Sequence, residues 1–374
     1  MQRTMGFPRM HKEEAERRDF TPSFFAQFLK EKEATIYVEK GYGSGMGLSE
    51  KAYLDANPNL VFCDYRTCYE QDIVVVLRAP ETEQLQWMRP GAVLISMLHY
   101  NTRAARNELM ESLGIVSFSM DSMENADGTR VVVNYYGTAM GGARAAYRAF
   151  KSKAPLTERD HPIKVTIMGM GQVGLSTARA FKDLSNYDMH MVDYPGMLVE
   201  FMTRSITGSE TESLEELKQT DILVDATQRV DSSHYVLRND QLTALPDQAV
   251  ILDITADPYD LTIDPPQIKA IEGLPTGTLD KFVFAPGDPE WEAAVPDFVD
   301  SRIRRTTVSC NAWPGVEPQQ SMEQYGRQMA PILKVLLEKE PQEVSVDAER
   351  YYEAALARSS YTYYKTYIEK KELA

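Results

Sequence analysis

The chain has 374 residues, 43% of them hydrophobic and 25% charged, with a formal net charge of −15 and a sequence pI of about 4.9. That length predicts two domains with sizeable cores, and the ordinary charged fraction argues against global disorder. So negative a field repels phosphate backbones and anionic lipid, which speaks against nucleic-acid or membrane-surface partners and leaves a small anionic substrate in need of its own cationic pocket. The three cysteines, Cys63, Cys68 and Cys310, are too few for a disulfide framework, and no Cys/His set has zinc-like spacing, so no metal is expected. MQRTMGFPRMHKEEAERRDF lacks the apolar core of a secretory signal, and no apolar run approaches the roughly 20 residues that span a bilayer. A cytoplasmic protein is the expectation.

In chain order, TPSFFAQFLKEKE (21–33) has a Thr-Pro start and apolar residues at helical spacing. ATIYVEKG reads as a strand, GYGSGMGLSEKAY as a Gly-rich turn with a new helix start, and NLVFCDY and DIVVVLRAP as short apolar strands. ETEQLQWMRPG is a connecting helix and GAVLISMLHY a strand that runs into His99. NTRAARNELMESLG follows as a helix capped by Gly114, and IVSFSMD as a strand. Alternating β and α elements predict a parallel sheet with helices on both faces. From about residue 135, YYGTAMGGARAAYRAFKSKA predicts a long helix, and Gly141 and Gly142 within it imply close approach of another backbone. A linker, LTERDHP, leads into a second series of strands in KVTIMGMG, DMHMVDY, DILVDAT and AVILDITADP. The end of the chain, from PILKVLLEKEP onward, reads as helical and rich in tyrosine.

In VTIMGMGQVGLSTARAFK, Gly169, Gly171 and Gly174 form G-x-G-x-x-G between an apolar strand and a small-residue helix start, with Gln172 and Val173 between the last two glycines. The three glycines supply a tight turn, room for a pyrophosphate and close helix–strand packing. The phosphates would sit on free N–H groups at the positive end of the helix. Asp193, taken as the end of the strand MHMVDY, is the acid expected to bond the ribose 2′-OH and so to favour NAD over NADP.

A nicotinamide enzyme acting on an oxo or amino acid also needs cations for the carboxylate and a group that moves protons. Arg17 or Arg18, in EEAERRDFTP, can pair a carboxylate. Arg78 ends the strand DIVVVLR, His99 ends ISMLH and Asp257 follows AVILDIT, all at carboxyl ends, where open α/β sheets bind ligands.

These segments resemble the alanine dehydrogenase and transhydrogenase N-domain family, which includes lysine-forming saccharopine dehydrogenase. GFPRMHKEEAERRDFTP is similar to the family's opening strand and loop, RPGAVLISMLH to the segment with its proton-transferring histidine, LDITADP to the segment whose second aspartate lies by the nicotinamide, and NAWPGVEPQQS to an Asn-x-x-Pro-Gly segment near the cofactor. The resemblance implies substrate binding by Arg17 and Arg78, catalysis by His99 and Asp257, and cofactor contact at Asn311. It implies an α/β fold of two Rossmann-like domains with parallel sheets. An NAD domain (136–309) would be inserted into a discontinuous substrate domain (1–135 and 310–374), and the chains would form a homo-oligomer. The implied activity is NAD-dependent, reversible reductive amination of a 2-oxo acid through an imine. A saccharopine-type or opine-type enzyme, a non-catalytic NAD-binding homologue and a transhydrogenase subunit are the alternatives. One departure stands out. The family's dehydrogenases carry a lysine where this chain has Arg78, and an arginine cannot release its proton near neutral pH. A second concerns the branch: MDSMENADGTRVVVNYYGTAMGGARAA is closer to the saccharopine branch, with its acid at Asp121.

Overall fold

The computed structural model describes residues 3–30, 34–229 and 231–372. It divides into two units, Met1–Asn134 with Pro318–Ala374, and Tyr135–Glu317. Both are α/β and Rossmann-like, and the second is inserted between the two parts of the first. The chain re-enters the first unit at Pro318, later than the expected 310. The reason is local: the turn beyond Ser309 is bonded to the second unit, with the Asn311 N–H donating to Gly277 O (3.0 Å) and Trp313 Nε1 donating to Asp253 O (3.3 Å).

The first unit is built on strands β1 (Arg3–Phe7), β2 (Ala34–Glu39), β3 (Leu60–Cys63), β4 (Ile73–Arg78), β5 (Val93–Met97) and β6 (Val116–Ser119). They pair in parallel in the order β3-β2-β1-β4-β5-β6. β4 is buried from Ile73 to Leu77, as a central strand covered on both faces must be, and only its last residue, Arg78, begins to emerge. On one face Phe7, Phe20, Phe24 and Phe25 meet mostly edge-to-face, and the helix Pro318–Glu338 adds Met322, Met329, Leu333 and Leu336 to the same core. The helix expected over 21–33 is regular only across Pro22–Ala26. Beyond it the amides of Gln27, Phe28 and Leu29 bond carbonyls three residues back, the tighter winding of a helix end. Residues 31–33 of that expectation lie outside the described residues.

The second unit contains β7 (Ile163–Met168), β8 (Met197–Met202), β9 (Ile222–Asp225), β10 (Val250–Asp253), β11 (Val283–Phe284) and β12 (Thr306–Ser309), in the order β11-β12-β10-β9-β7-β8. All pairs are parallel except β11 with β12. The long helix expected after 135 spans Tyr135–Lys151, and a Cβ on Gly141 would lie 3.3 Å from the Trp313 carbonyl, the close backbone approach anticipated.

DMHMVDY is not a strand. The helix Gln172–Met189 runs through its first two residues, and the strand begins only at Met197. Ties to the helix Tyr135–Lys151 hold those last turns helical: Tyr136 OH donates to Asp183 Oδ2 and Lys151 Nζ to Asp188 Oδ2, both at 2.6 Å. Among the described residues no helix is long and apolar enough to cross a membrane.

Candidate functional site

In the first unit the strand order reverses between β1 and β4. Open α/β sheets bind ligands at the carboxyl edge beside such a reversal. The segment after β1 brings Glu13, Glu16, Arg17 and Arg18 to this edge, and β4 brings Arg78. Arg18 and Glu16 form a buried bidentate pair, with Nε to Oε1 at 2.8 Å and Nη2 to Oε2 at 2.5 Å. Burial works to raise the Glu16 carboxyl, but the bonds and charge of Arg18, with the charge of Arg78, hold it below its ordinary value. Arg78 Nη1 donates to Glu13 Oε1 at 2.5 Å and stands 3.7 Å from Glu16 Oε2. Arg17 is exposed, and its guanidinium has no ion-pair partner among the described residues. Of the two adjacent arginines, Arg17 is therefore the one whose charge is available to a ligand.

Arg78 is level with Met97 of β5, two positions before His99. His99 leaves the strand with φ 49° and ψ 56°, a left-handed conformation that a non-glycine residue adopts at a cost of about 1–3 kcal/mol. What holds it there is Asp121, at the end of the neighbouring β6. Asp121 Oδ1 accepts from the His99 N–H (3.3 Å) and from Ser119 Oγ (2.5 Å), while Oδ2 lies 3.4 Å from His99 Nδ1. Burial alone would raise the Asp121 carboxyl, yet contacts with His99 and Ser119 outweigh it and keep the group well below the usual carboxylate range. An ionised Asp121 favours the tautomer with the proton on Nδ1, which leaves Nε2 to exchange protons. The ring is 58% exposed, so solvent or a substrate can reach it.

In the second unit β7 ends at Met168, and the glycine turn follows. Gly169 has φ 98°, and a Cβ on it would lie 2.3 Å from Ala226 O. A Cβ on Gly174 would lie 2.1 Å from Gly169 O, whereas one on Gly171 would meet nothing within 4 Å. Two glycines are thus required by packing, and the third leaves open space before the first turn of the helix at Gln172 and Val173. These residues fit a dinucleotide pyrophosphate.

Asp193 does not fit its expected role. It lies in the connection between the helix Gln172–Met189 and β8, at the amino end of β8, opposite the glycine turn. The carboxyl end of β8 leads instead into Thr203, Arg204 and Ser205, and no carboxylate stands among them.

Asp257 follows β10, and its Oδ2 accepts from Arg229 Nη2 at 3.0 Å. Asp253 is structural: buried, it accepts from Lys269 Nζ (2.7 Å), Ser309 Oγ (2.9 Å) and the Ala256 N–H (2.8 Å). Asp225 is its direct partner across β9 and β10, and burial together with the Asp253 charge pushes the Asp225 carboxyl up. Asn311 is exposed just beyond β12. Sequence reasoning passed over Asp225, Glu13 and Glu16. The first ends an apolar strand as Arg78 does, so its position was a usable signal. Among the described residues no group of three or more His, Cys, Asp or Glu is placed to hold a metal ion.

Residues 6–136 match the family model for the alanine dehydrogenase/PNT N-terminal domain. That match covers about the first third of the chain, which is similar to the N-terminal domain of that family. The NAD(P) transhydrogenase subunit alpha of Cereibacter sphaeroides is 28% identical over 154 residues, 37% of this chain and 28% of that protein. The alanine dehydrogenase of Geobacillus stearothermophilus is 22% identical over 184 residues, 47% of this chain and 49% of that one. The chain therefore spans about half or less of these two family members. The alanine dehydrogenase of Mycolicibacterium smegmatis is 20% identical over 269 residues, 68% of this chain and 72% of that one. Among solved structures, an L-alanine dehydrogenase matches with a TM-score of 0.69 at 16% identity, covering 96% of this chain and 94% of that one. A transhydrogenase from Sinorhizobium meliloti matches at 0.60 and 15%, covering 90% and 94%. At such identities these structures establish the shared fold.

Proposed function

We propose that this protein is a member of the alanine dehydrogenase and transhydrogenase family, an oxidoreductase that interconverts a 2-oxo acid and an amino acid through an imine, using a nicotinamide dinucleotide. The observation that carries the reading is the His99–Asp121 pair, held in a strained backbone at the same sheet edge as Arg17 and Arg78. Arg17 would grip the substrate carboxylate. Arg78, fixed by Glu13, would polarise the carbonyl oxygen through its remaining donors, and it cannot itself move a proton. Proton transfer during loss of water from the carbinolamine therefore falls to His99 Nε2, with Asp121 as the orienting group. Gly169, Gly171, Gln172, Val173 and Gly174 would hold the cofactor's pyrophosphate, with Asn311 beyond the end of β12. When bound, the dinucleotide supplies or accepts the hydride. Asp257 would steady the amine or water beside the nicotinamide. Assembly as a homo-oligomer belongs to the same proposal.

Asp121 was the residue that pointed toward the saccharopine branch. Its oxygens are engaged by His99 and Ser119, which weakens the case for it as an extra substrate-binding acid. A second reading, a dinucleotide-binding homologue without turnover, is favoured by Arg78 locked against Glu13. The test follows oxidation of NADH and of NADPH at about 340 nm. Pyruvate and 2-oxoglutarate are each crossed with ammonia, lysine, ornithine and no amine, with Arg78→Lys alongside. Turnover with pyruvate and ammonia supports an alanine dehydrogenase. Turnover only with 2-oxoglutarate and a diamino acid moves the protein to the saccharopine branch. Silence from the native chain, with activity in Arg78→Lys, establishes the second reading.

A further inference from the structure

We propose that the dinucleotide site selects a 2′-phosphorylated cofactor, with Arg204, Thr203 and Ser205 receiving the phosphate. The inference rests on the reading that the second unit binds a nicotinamide dinucleotide, and it departs from the NAD preference that Asp193 suggested.

β7 and β8 are parallel neighbours, and Met168 pairs directly with Met202. Gly169 and Thr203 therefore leave adjacent strands at the same level, on the same edge. Neighbouring strands stand about 4.8 Å apart, so the residues following β8 flank the glycine turn at close range. When a pyrophosphate rests on such a turn, the adenosine ribose extends over the end of the neighbouring strand. An acid at that strand end bonds the free 2′-hydroxyl and repels a 2′-phosphate, while an arginine nearby accommodates the phosphate.

Here the strand end carries a hydroxyl, a guanidinium and a second hydroxyl. All three residues are exposed, and the Thr203 and Ser205 hydroxyls lie 2.7 Å apart. The Arg204 guanidinium has no ion-pair partner among the described residues. The acids flanking it in sequence are occupied elsewhere: Glu200 accepts from Lys164 Nζ at 2.9 Å and Glu210 pairs with Arg238 at 3.2 Å. In a chain with a net charge of −15, an unpaired arginine beside two hydroxyls at this position is suited to a phosphate dianion, which takes bidentate bonds from the guanidinium and single bonds from the hydroxyls. A free ribose diol finds no carboxylate there to accept its protons.

The test is direct binding, independent of turnover. The full chain is titrated with NADPH and with NADH by calorimetry or by quenching of intrinsic fluorescence, and so are Arg204→Ala and Thr203→Asp. The expected result is NADPH binding tighter by about 10-fold or more, a preference that Arg204→Ala abolishes and Thr203→Asp turns toward NADH. The NADPH affinity should also fall more steeply with salt than the NADH affinity. Equal or tighter binding of NADH by the native chain overturns the inference and leaves the dinucleotide reading intact, as does an Arg204→Ala variant that retains the NADPH preference. Failure to bind either cofactor overturns both.

Discussion

Arg17 and Arg18 are neighbours in sequence with opposite environments, and the difference is measurable. Arg18 neutralises Glu16 in a site where both side chains are nearly excluded from water. Replacing it with methionine leaves a buried carboxylate whose next cation is Arg78, 3.7 Å away. We expect a loss of about 3–5 kcal/mol, read as a lower urea midpoint. Arg17→Ala removes only an exposed charge, so stability should stay within about 0.5 kcal/mol, while the KM for the oxo acid rises about 10-fold or more. His99→Gln should lower kcat by about 10²–10⁴ with little change in KM, because the ring is assigned proton transfer and not substrate binding. His99 and Arg78 were legible in the sequence because each interrupts an apolar run at a strand end. Their partners were not: Glu13 and Asp121 meet them only through the path of a loop and the pairing of a neighbouring strand.

At the scale of elements, the glycine turn separates packing from binding. In Gly174→Ala the new Cβ would meet the Gly169 carbonyl at 2.1 Å, a backbone atom that cannot move alone. That variant should melt at lower temperature and also lose dinucleotide affinity. Gly171→Ala meets nothing within 4 Å, so its melting temperature should be unchanged, while affinity should fall if the methyl group fills the space proposed for the pyrophosphate. Circular-dichroism melts and dinucleotide titrations of the two variants distinguish these outcomes. The turn was readable because its three glycines have fixed spacing and each answers a steric demand. The next strand was misread: the apolar alternation of DMHMVDY imitates a strand, while contacts from a different helix keep its start helical. The resulting shift leaves Thr203, and not Asp193, at the strand end beside the glycine turn. β12 went unrecognised for another reason. Its Thr306, Thr307 and Ser309 are polar by type but buried.

The whole molecule's response to acid should carry the mark of Asp19. This carboxyl is 4% exposed, and burial pushes it up to about 6. The Gly43 N–H (2.8 Å) and Arg9 (3.5 Å) oppose the shift, and the charges of Glu39 and Glu16 add to it. The folded state therefore holds a proton that the unfolded chain has already released, and stability from this group is lost as pH rises through about 6. Lowering the pH from about 8 to about 5 should recover roughly 1–2 kcal/mol more in the native chain than in Asp19→Asn, in which the raised Asp225 still responds. Glu16 and Asp121, held below their ordinary values, contribute in the opposite sense, and their contribution fades only at lower pH. Comparing urea midpoints of native and Asp19→Asn protein at the two pH values isolates the term.

The inserted unit also sets a timetable for synthesis. Every strand of the second sheet lies between residues 163 and 309, so that unit is complete in sequence when the ribosome has passed its last turn. The first unit has its six strands much earlier but must wait for Met322, Met329 and Leu333 to cover its aromatic core. A nascent chain should therefore close its second-made unit first and carry an exposed apolar sheet until the helix Pro318–Glu338 emerges. Expressed alone, 135–317 should melt cooperatively, whereas 1–134 should bind hydrophobic dye and aggregate. The stretch most dependent on chaperones during translation is then the one made earliest.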